Sequence, residues 1–101
     1  RLLDRARLWQ AMRENGMADG DMPDADEGGK IATVAARQVA SAACALALLP
    51  LEDALALDEA PNLPGTTGDH PNWRRRLPGE AATMLDQPET AARLNAFAKA
   101  R

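Results

Sequence analysis

The sequence predicts a mainly α-helical chain. Three segments place apolar residues at the three- and four-residue spacing of one helix face, and alanine, the strongest helix former, supplies many of them. No segment alternates apolar and polar residues on both sides of a short turn, as a β-hairpin does. With 101 residues, the chain is at most one domain.

The first helix is predicted over residues 2–15. Apolar residues recur there at helical spacing, and Gly16 is placed to end the helix. The residues that set this spacing are Leu2, Leu3, Ala6, Leu8, Trp9 and Met12.

A second helix is predicted over residues 30–43. Its apolar residues form one stripe, and several are small enough to let a neighbouring helix approach closely. The stripe consists of Ile31, Val34, Ala35, Val39 and Ala42.

Residues 44–51 are ambiguous from sequence. The run CALALLPL is almost wholly apolar, and so short a run fits either a continued helix or a buried strand. Pro50 stops any helix near Leu49. Residues 51–57 then favour a short helix, with Glu52 and Asp53 in the first turn, where the helix dipole favours acids.

The C-terminal part of the chain predicts two more helical elements. Residues 80–85 favour a short helical turn, and Pro88 suits the first position of a last helix. That helix has a modest apolar face, made of Ala91, Leu94, Phe97 and Ala98.

Composition predicts a thin core and restricts the class of protein. Apolar residues make up 46% of the chain but aromatic residues only 3%, and alanine buries little area. The formal net charge of -3 argues against a nucleic-acid or anionic-membrane partner. No apolar run reaches the ~18 residues that a membrane span needs.

The single cysteine and the N-terminal sequence bear on the origin of the chain. Cys44 cannot form an internal disulfide, which fits a reducing compartment and a cytoplasmic location. The chain also lacks an initiator Met and the charge pattern of a signal peptide. Together with the thin core, this suggests that residues 1–101 are one piece of a larger protein.

Residues 16–29 are predicted to form an acidic, mobile loop. The segment GMADGDMPDADEGG contains acids, glycines and a proline but no basic residue. An EF-hand calcium loop requires acids at fixed positions, a central glycine and a terminal Glu between two helices. The segment does not fit that pattern.

Residues 61–79 have no periodic pattern and predict a long irregular loop, yet they contain Trp73, the only histidine and three consecutive arginines. Arginines beside a tryptophan could bind a phosphate backbone, but the basic cluster is narrow and the chain is acidic. The favoured interpretation is structural: one or two of the three arginines clamp the loop to a neighbouring surface through fork-shaped hydrogen bonds, and Trp73 anchors it by burial.

Neither a metal site nor a catalytic group is evident among the titratable residues. His70 has no second His or Cys at ligand spacing, so it is weak support for zinc. The paired acids Glu52 and Asp53 are adjacent, and neighbours on a helix point in different directions. We therefore expect no metal and no catalytic residue in this chain.

The stretch NLPGTTG, residues 62–68, holds neutral hydrogen-bonding groups. Pro64 and Gly65 predict a tight turn in which glycine supplies a positive φ. The Asn62 amide and the Thr66 and Thr67 hydroxyls are then available to a ligand. With an aromatic face nearby, these groups suit an uncharged polyhydroxylated ligand.

Three ordered motifs resemble the C-terminal part of the amylomaltases, the disproportionating 4-alpha-glucanotransferases. That family carries Pro-x-(Gln/Glu)-Asp-x-Leu, then Asn-x-Pro-Gly-Thr, then Pro-Asn-Trp-Arg-x-Arg-Leu. The corresponding stretches here are residues 50–55, 62–66 and 71–77, within a motif core of about residues 48–79. The predicted helices on both sides agree with the family in order and length.

The resemblance implies a (β/α)8-barrel enzyme of which this chain is the C-terminal piece. Such an enzyme transfers a segment of an α-1,4-glucan to glucose or another glucan by a retaining mechanism, without metal or organic cofactor. The family's catalytic carboxylates lie in motifs upstream of the matched region, so none of the acids in this chain is assigned a catalytic role. The isolated chain is expected to be mainly helical, inactive and prone to self-association.

The resemblance also implies roles for residues of the loop. Residues 45–51 would be the eighth barrel strand, and barrel active sites lie at the C-terminal ends of the strands. Asn62 would therefore contact the glucan, and the residues that shape the substrate-binding loop would be Pro64, Gly65 and Thr66. Trp73, Arg74 and Arg76 would lock that loop to the remainder of the barrel.

Two other functions compete with this interpretation. The first is a small helical interaction domain whose 61–79 loop binds another protein. The second is a weak nucleic-acid binder, which would show salt-dependent retention on DNA.

Overall fold

The computed structural model of the protein describes residues 2–101, and this part of the chain is helical with no β-strand. Four α-helices span Leu2–Glu14 (α1), Gly28–Ala40 (α2), Leu51–Ala54 (α3) and Pro88–Lys99 (α4). Short 3-10 turns at Ala25–Glu27 and Met84–Asp86 precede α2 and α4. The prediction of a mainly α chain is confirmed. None of these helices is long and apolar enough to cross a membrane.

Helix α1 ends where the sequence predicts. Gly16 has a φ of 70°, its N–H donates to the Arg13 carbonyl at 2.9 Å, and the Met17 N–H donates to the Met12 carbonyl at 2.8 Å. This pair of bonds is the Schellman arrangement, in which a left-handed residue lets the chain satisfy the last carbonyls of the helix.

Helix α2 is shifted toward the N-terminus relative to the predicted 30–43. It follows directly from the 3-10 turn, in which the Asp24 N–H donates to Glu27 Oε2 at 3.1 Å, and it ends at Ala40. Val39 is 49% exposed, and Ala42 is exposed beyond the end of the helix, so two members of the predicted stripe do not pack. The buried residues of α2 are instead Ala36 and Ala40.

The apolar core is small, as the composition predicts. Trp9, Met12 and Ala18 are buried together, with Ile31 and Val34 of α2 packed against them. Met12 is the only large side chain in residues 2–101 with under 2% of its surface exposed. The radius of gyration is 14.7 Å, larger than the ~13 Å typical of a domain this long.

A buried arginine joins the C-terminal helix to the rest of the chain. Arg93 of α4 is only 3% exposed. Its Nε donates to Thr33 Oγ1 at 3.1 Å, its Nη2 to the Gly29 carbonyl at 3.3 Å, and its Nη1 to the Ala54 carbonyl. One side chain thus connects α4 to both α2 and α3. A Cβ added at Gly29 would lie 3.3 Å from Arg93 Nη2, so the contact favours glycine at that position.

The ambiguous apolar run forms neither helix nor strand. Residues 44–50 carry no regular structure, and Leu46 and Leu48 are each 71% exposed. No backbone hydrogen bond joins residues 45–49 to another segment of residues 2–101. At the start of the run, Arg101 Nη2 donates to the carbonyls of Cys44 and Ala45 at 3.2 and 3.5 Å. An isolated strand has no ladder partner to stabilise it, which explains why this run is irregular here.

Helix α3 is shorter than the predicted 51–57. It keeps Glu52 and Asp53 in its first turn, as expected, and ends at Ala54. The Leu57 N–H donates to the Glu52 carbonyl at 3.0 Å and the Ala56 N–H to the Asp53 carbonyl at 3.1 Å. This is the same Schellman arrangement that ends α1, but the left-handed residue is Ala56, with a φ of 52°.

The remaining predicted elements also have counterparts. Pro88 is the first residue of α4, as expected. The helical turn predicted over residues 80–85 is a 3-10 turn that lies slightly later, at Met84–Asp86. Part of the predicted 16–29 loop is ordered into the 3-10 turn and the start of α2, and the mobility of the rest stays a prediction.

Candidate functional site

The predicted long loop begins shortly after α3. Residues 61–79, which we call the motif loop, contain no helix or strand. The Trp73 N–H donates to the Pro61 carbonyl at 2.8 Å, and His70 Nε2 donates to the Ala60 carbonyl at 2.9 Å. Because residues 70 and 73 return to residues 60 and 61, the loop closes on itself.

Asn72 organises the interior of the motif loop. Its Oδ1 accepts the Leu63 N–H at 2.8 Å, and its Nδ2 donates to Thr66 Oγ1 at 2.8 Å and to the Thr66 carbonyl at 3.4 Å. The side-chain amide therefore links the two halves of the loop through hydrogen bonds of the kind that a backbone peptide group makes. Asparagine is suited to this role because its amide offers both donors and an acceptor.

The Pro64-Gly65 turn forms as the sequence predicts. Gly65 has a φ of 85°, and the Thr66 N–H and hydroxyl donate to the Leu63 carbonyl at 3.3 and 2.7 Å. The Thr66 hydroxyl donates its only proton in that bond, and its oxygen accepts a hydrogen bond from Asn72 Nδ2. Within this loop, Thr66 thus has a shaping role, and its hydroxyl is less available to a ligand than expected.

Asn62 differs from the other polar residues of the loop. It is partly buried, and its side-chain amide has no hydrogen bond within residues 2–101. It lies between Pro61, which is bonded to Trp73, and Leu63, which is bonded to Asn72. The loop therefore fixes the backbone on both sides of Asn62 and leaves its amide free for a partner.

The predicted anchors of the loop do not anchor it to residues 2–101. The Trp73 side chain is 75% exposed, so the expected burial of the indole does not occur against this chain. The guanidinium groups of Arg74 and Arg76 form no ion pair or hydrogen bond there, whereas Arg75, to which the sequence assigns no role, pairs with Glu59. Attachment of Trp73, Arg74 and Arg76 to another part of a larger protein stays a prediction.

A cleft of 310 Å³ lies between the motif loop and the segment around α3. Its charged lining consists of Glu52, Asp58, Glu59, Arg75 and Arg76, with Leu57 and Pro61 among its apolar residues. Carboxylates and guanidinium groups can accept from and donate to hydroxyls. No group of three or more His, Cys, Asp or Glu side chains in residues 2–101 is arranged to hold a metal ion.

The family model described as 4-alpha-glucanotransferase matches residues 1–83 of the chain. The chain belongs to the 4-alpha-glucanotransferase family. No curated protein and no solved structure matched it. The matched part of this 4-alpha-glucanotransferase family member includes the whole motif loop and ends before α4. The resemblance inferred from the three motifs is therefore confirmed.

Two residues with defined structural roles were missed from sequence. Asn72 belongs to the third motif, and its position after a proline in a turn-rich segment is the signal that favours a local hydrogen-bonding role. Arg93 lies on a helix face otherwise read as apolar, and its acceptors are distant in sequence. No local pattern could have identified that contact.

Proposed function

We propose that this chain is the C-terminal piece of a cytoplasmic enzyme that transfers segments of α-1,4-glucans to glucose or to another glucan. The observation that carries the proposal is the family match, which covers residues 1–83 and contains all three motifs. The free amide of Asn62, whose two neighbours are hydrogen-bonded within the loop, supports a role for that loop in binding substrate.

The proposed reaction proceeds with retention at the anomeric carbon. A carboxylate attacks that carbon while a carboxylic acid gives its proton to the departing glycosidic oxygen, which leaves a covalent glucosyl–enzyme. An acceptor hydroxyl then loses its proton to the same acid/base and attacks the anomeric carbon, which releases the carboxylate. We assign these carboxylates to the part of the enzyme outside residues 1–101.

In the complete enzyme, residues 45–51 form the eighth strand of a (β/α)8 barrel. Support comes from the irregular run of residues 44–50, whose alternate leucines Leu46 and Leu48 are exposed and whose backbone is unpaired within residues 2–101. Neighbouring strands would pair this backbone, and the layer packed on that face of the sheet would cover both leucines. The partner of this surface is therefore the remainder of the barrel.

Without that partner, the chain self-associates through the same leucines. Sedimentation velocity on purified residues 1–101 measures this, with Leu46→Glu/Leu48→Glu as the variant and Leu2→Glu/Leu3→Glu as the matched control. The control replaces two equally exposed leucines of α1. Only the first pair of substitutions is expected to shift the chain to monomer, and a shift with the control alone would contradict the assignment.

The function is tested with the protein expressed from its complete gene. Incubation with maltotriose is expected to yield glucose together with longer maltooligosaccharides, and residues 1–101 alone are expected to yield neither. Absence of transfer by the complete protein would overturn the proposal and favour an interaction domain.

The role of Asn62 is tested by Asn62→Ala in the same protein. We expect kcat/KM for maltotriose to fall roughly tenfold or more, because a buried sugar hydroxyl would lose its hydrogen-bond partner. Asn95→Ala, which removes an exposed amide from α4, is the control and should leave kcat/KM unchanged. Equal effects of the two substitutions would exclude a specific contact at Asn62.

A further inference from the structure

Trp73 has an unusual backbone conformation for its residue type. Its φ is 57°, in the left-handed region that glycine and asparagine favour and bulky residues avoid. The Arg74 N–H donates to the Pro71 carbonyl at 3.1 Å, so Trp73 is the third residue of a tight turn. A side chain at such a position costs on the order of 1 to 3 kcal/mol and persists only where surrounding contacts enforce it.

The contacts that enforce this conformation come from the backbone and from Asn72. The Trp73 N–H is bonded to the Pro61 carbonyl, and the preceding Asn72 is fixed by its bonds to Leu63 and Thr66. None of these contacts involves the indole. The loop therefore holds the backbone of Trp73 in an unfavourable conformation while its side chain projects outward, 75% exposed.

The two tryptophans of the chain show what a packing role would look like. Trp9 is 7% exposed, and its Nε1 donates to the Gly20 carbonyl at 3.2 Å. A buried indole normally has such a partner, because its N–H is costly to leave unsatisfied. The Nε1 of Trp73 has no partner within residues 2–101, so both its ring face and its N–H remain available.

We infer that the Trp73 indole is a stacking platform for a glucose ring of the bound α-glucan, beside the amide of Asn62. The hydrogen bond from the Trp73 N–H to the Pro61 carbonyl places the backbone of Trp73 beside the residue that precedes Asn62. An aromatic face packs against the C–H groups of a sugar ring, and the indole N–H donates to a hydroxyl. This inference rests on the proposed function, since the glucan is the substrate proposed there, and it replaces the role of Trp73 as a buried anchor.

A stacking platform remote from the reacting bond contributes binding that is equal in the ground and transition states. Removing it raises KM and leaves kcat nearly unchanged, whereas loss of a packing anchor loosens the loop and lowers kcat and Tm. In the protein expressed from its complete gene, Trp73→Ala is expected to raise KM for maltoheptaose about five- to twentyfold. Trp73→Phe, which keeps an aromatic face, is expected to recover most of that loss.

The matched control is Trp9→Phe. It makes in the core the same substitution that Trp73→Phe makes in the motif loop, and there it should lower Tm and leave KM unchanged. If Trp73→Ala leaves KM unchanged, or lowers kcat and Tm together while KM stays constant, the platform is excluded and burial of Trp73 by another part of the enzyme is favoured.

A binding measurement separates this inference from the proposed function. Fluorine NMR of protein labelled with 5-fluorotryptophan assigns Trp73 as the resonance that Trp73→Phe removes. Maltoheptaose should shift that resonance, and an unchanged resonance at saturating maltoheptaose overturns the platform. A shift in a protein without transfer activity would reject the transferase proposal alone, whereas transfer with an unchanged resonance would reject the platform alone.

Discussion

The packed helices α1, α2 and α4, which we call the helical layer, and the motif loop are ordered by different interactions. In α1, α2 and α4, buried side chains such as Met12 and Arg93 connect segments that are far apart in sequence. In the motif loop every residue is exposed or only partly buried, and the contacts are hydrogen bonds among nearby residues. The first kind of order is expected to unfold cooperatively, while the second can be lost locally without unfolding the helices.

The largest expected effect is in the helical layer, from Arg93→Met. Methionine fills a similar volume but removes the side-chain donor to the Ala54 carbonyl and to the Thr33 hydroxyl. It also removes one donor to the Gly29 carbonyl, which keeps its bond from the Thr33 hydroxyl. We expect the free energy of unfolding to fall by about 2–4 kcal/mol, a large share of the total for a chain of this size. Urea denaturation followed by circular dichroism measures the change.

Arg101→Met provides the comparison for that substitution. Arg101 also donates to backbone carbonyls, those of Ala40, Cys44 and Ala45, but it is exposed. Its loss is expected to cost less than about 1 kcal/mol. Similar costs for the two arginines would show that burial does not distinguish their contributions.

In the motif loop, Asn72→Ala is expected to release local order with a cost of about 1 kcal/mol or less. Amide hydrogen exchange at Leu63 and Trp73 should become faster, while exchange in α1 and α2 stays the same. A fall in global stability as large as that of Arg93→Met would mean that the loop and the helices unfold together.

A substitution in the turn between α3 and the motif loop should raise the free energy of unfolding, whereas the preceding substitutions lower it. Ala56→Gly places glycine in the left-handed position that ends α3, as Gly16 already does for α1. Relief of the unfavourable φ is expected to stabilise the chain by up to about 1 kcal/mol. Ala54→Gly, within the helix, is the control and should destabilise it by about 1 kcal/mol. Thermal melts that show the same sign for both variants would contradict this account.

The smallest effect concerns the ion pair between Glu27 and Lys30 at the start of α2. The hydrogen bond from Lys30, and then that from the Asp24 N–H, hold the pKa of Glu27 below its ordinary value of 4.5. A lowered carboxyl pKa stabilises the fold above the ordinary value, and the contribution is lost as pH falls through the folded-state pKa. The unsubstituted protein should therefore have a higher Tm than Glu27→Gln at about pH 7, and this difference in Tm should become smaller as the pH falls to about 3. A difference that widens toward acid would reverse the sign.

Much of the helical layer was predictable because its information is local. Periodic apolar residues marked α1 and α2, Gly16 marked the end of α1, and Pro88 the start of α4. The ends of α2 differ from the prediction because a 3-10 turn leads into its start, and because the distant Arg101 donates to the carbonyl of its last residue, Ala40. Periodicity carries no record of either contact.

The candidate site was predictable in its motifs but not in its contacts. Turn chemistry gave the positive φ of Gly65, and the ordered motifs gave the family. The amide of Asn62 is free, whereas that of Asn72 is hydrogen-bonded to Leu63 and Thr66. This difference depends on how the loop folds back, which the sequence does not indicate. Whether Trp73, exposed within this chain, is covered by another part of a larger protein depends on contacts that no local pattern describes.

The contact between Gly29 and Arg93 also has an evolutionary consequence. A methyl group at residue 29 would meet the guanidinium at 3.3 Å, so alanine there requires the arginine to shift by a few tenths of an ångström. The contact thus couples two positions that are far apart in the chain. Among related sequences, loss of arginine at the position of Arg93 should accompany loss of the constraint for glycine at the position of Gly29.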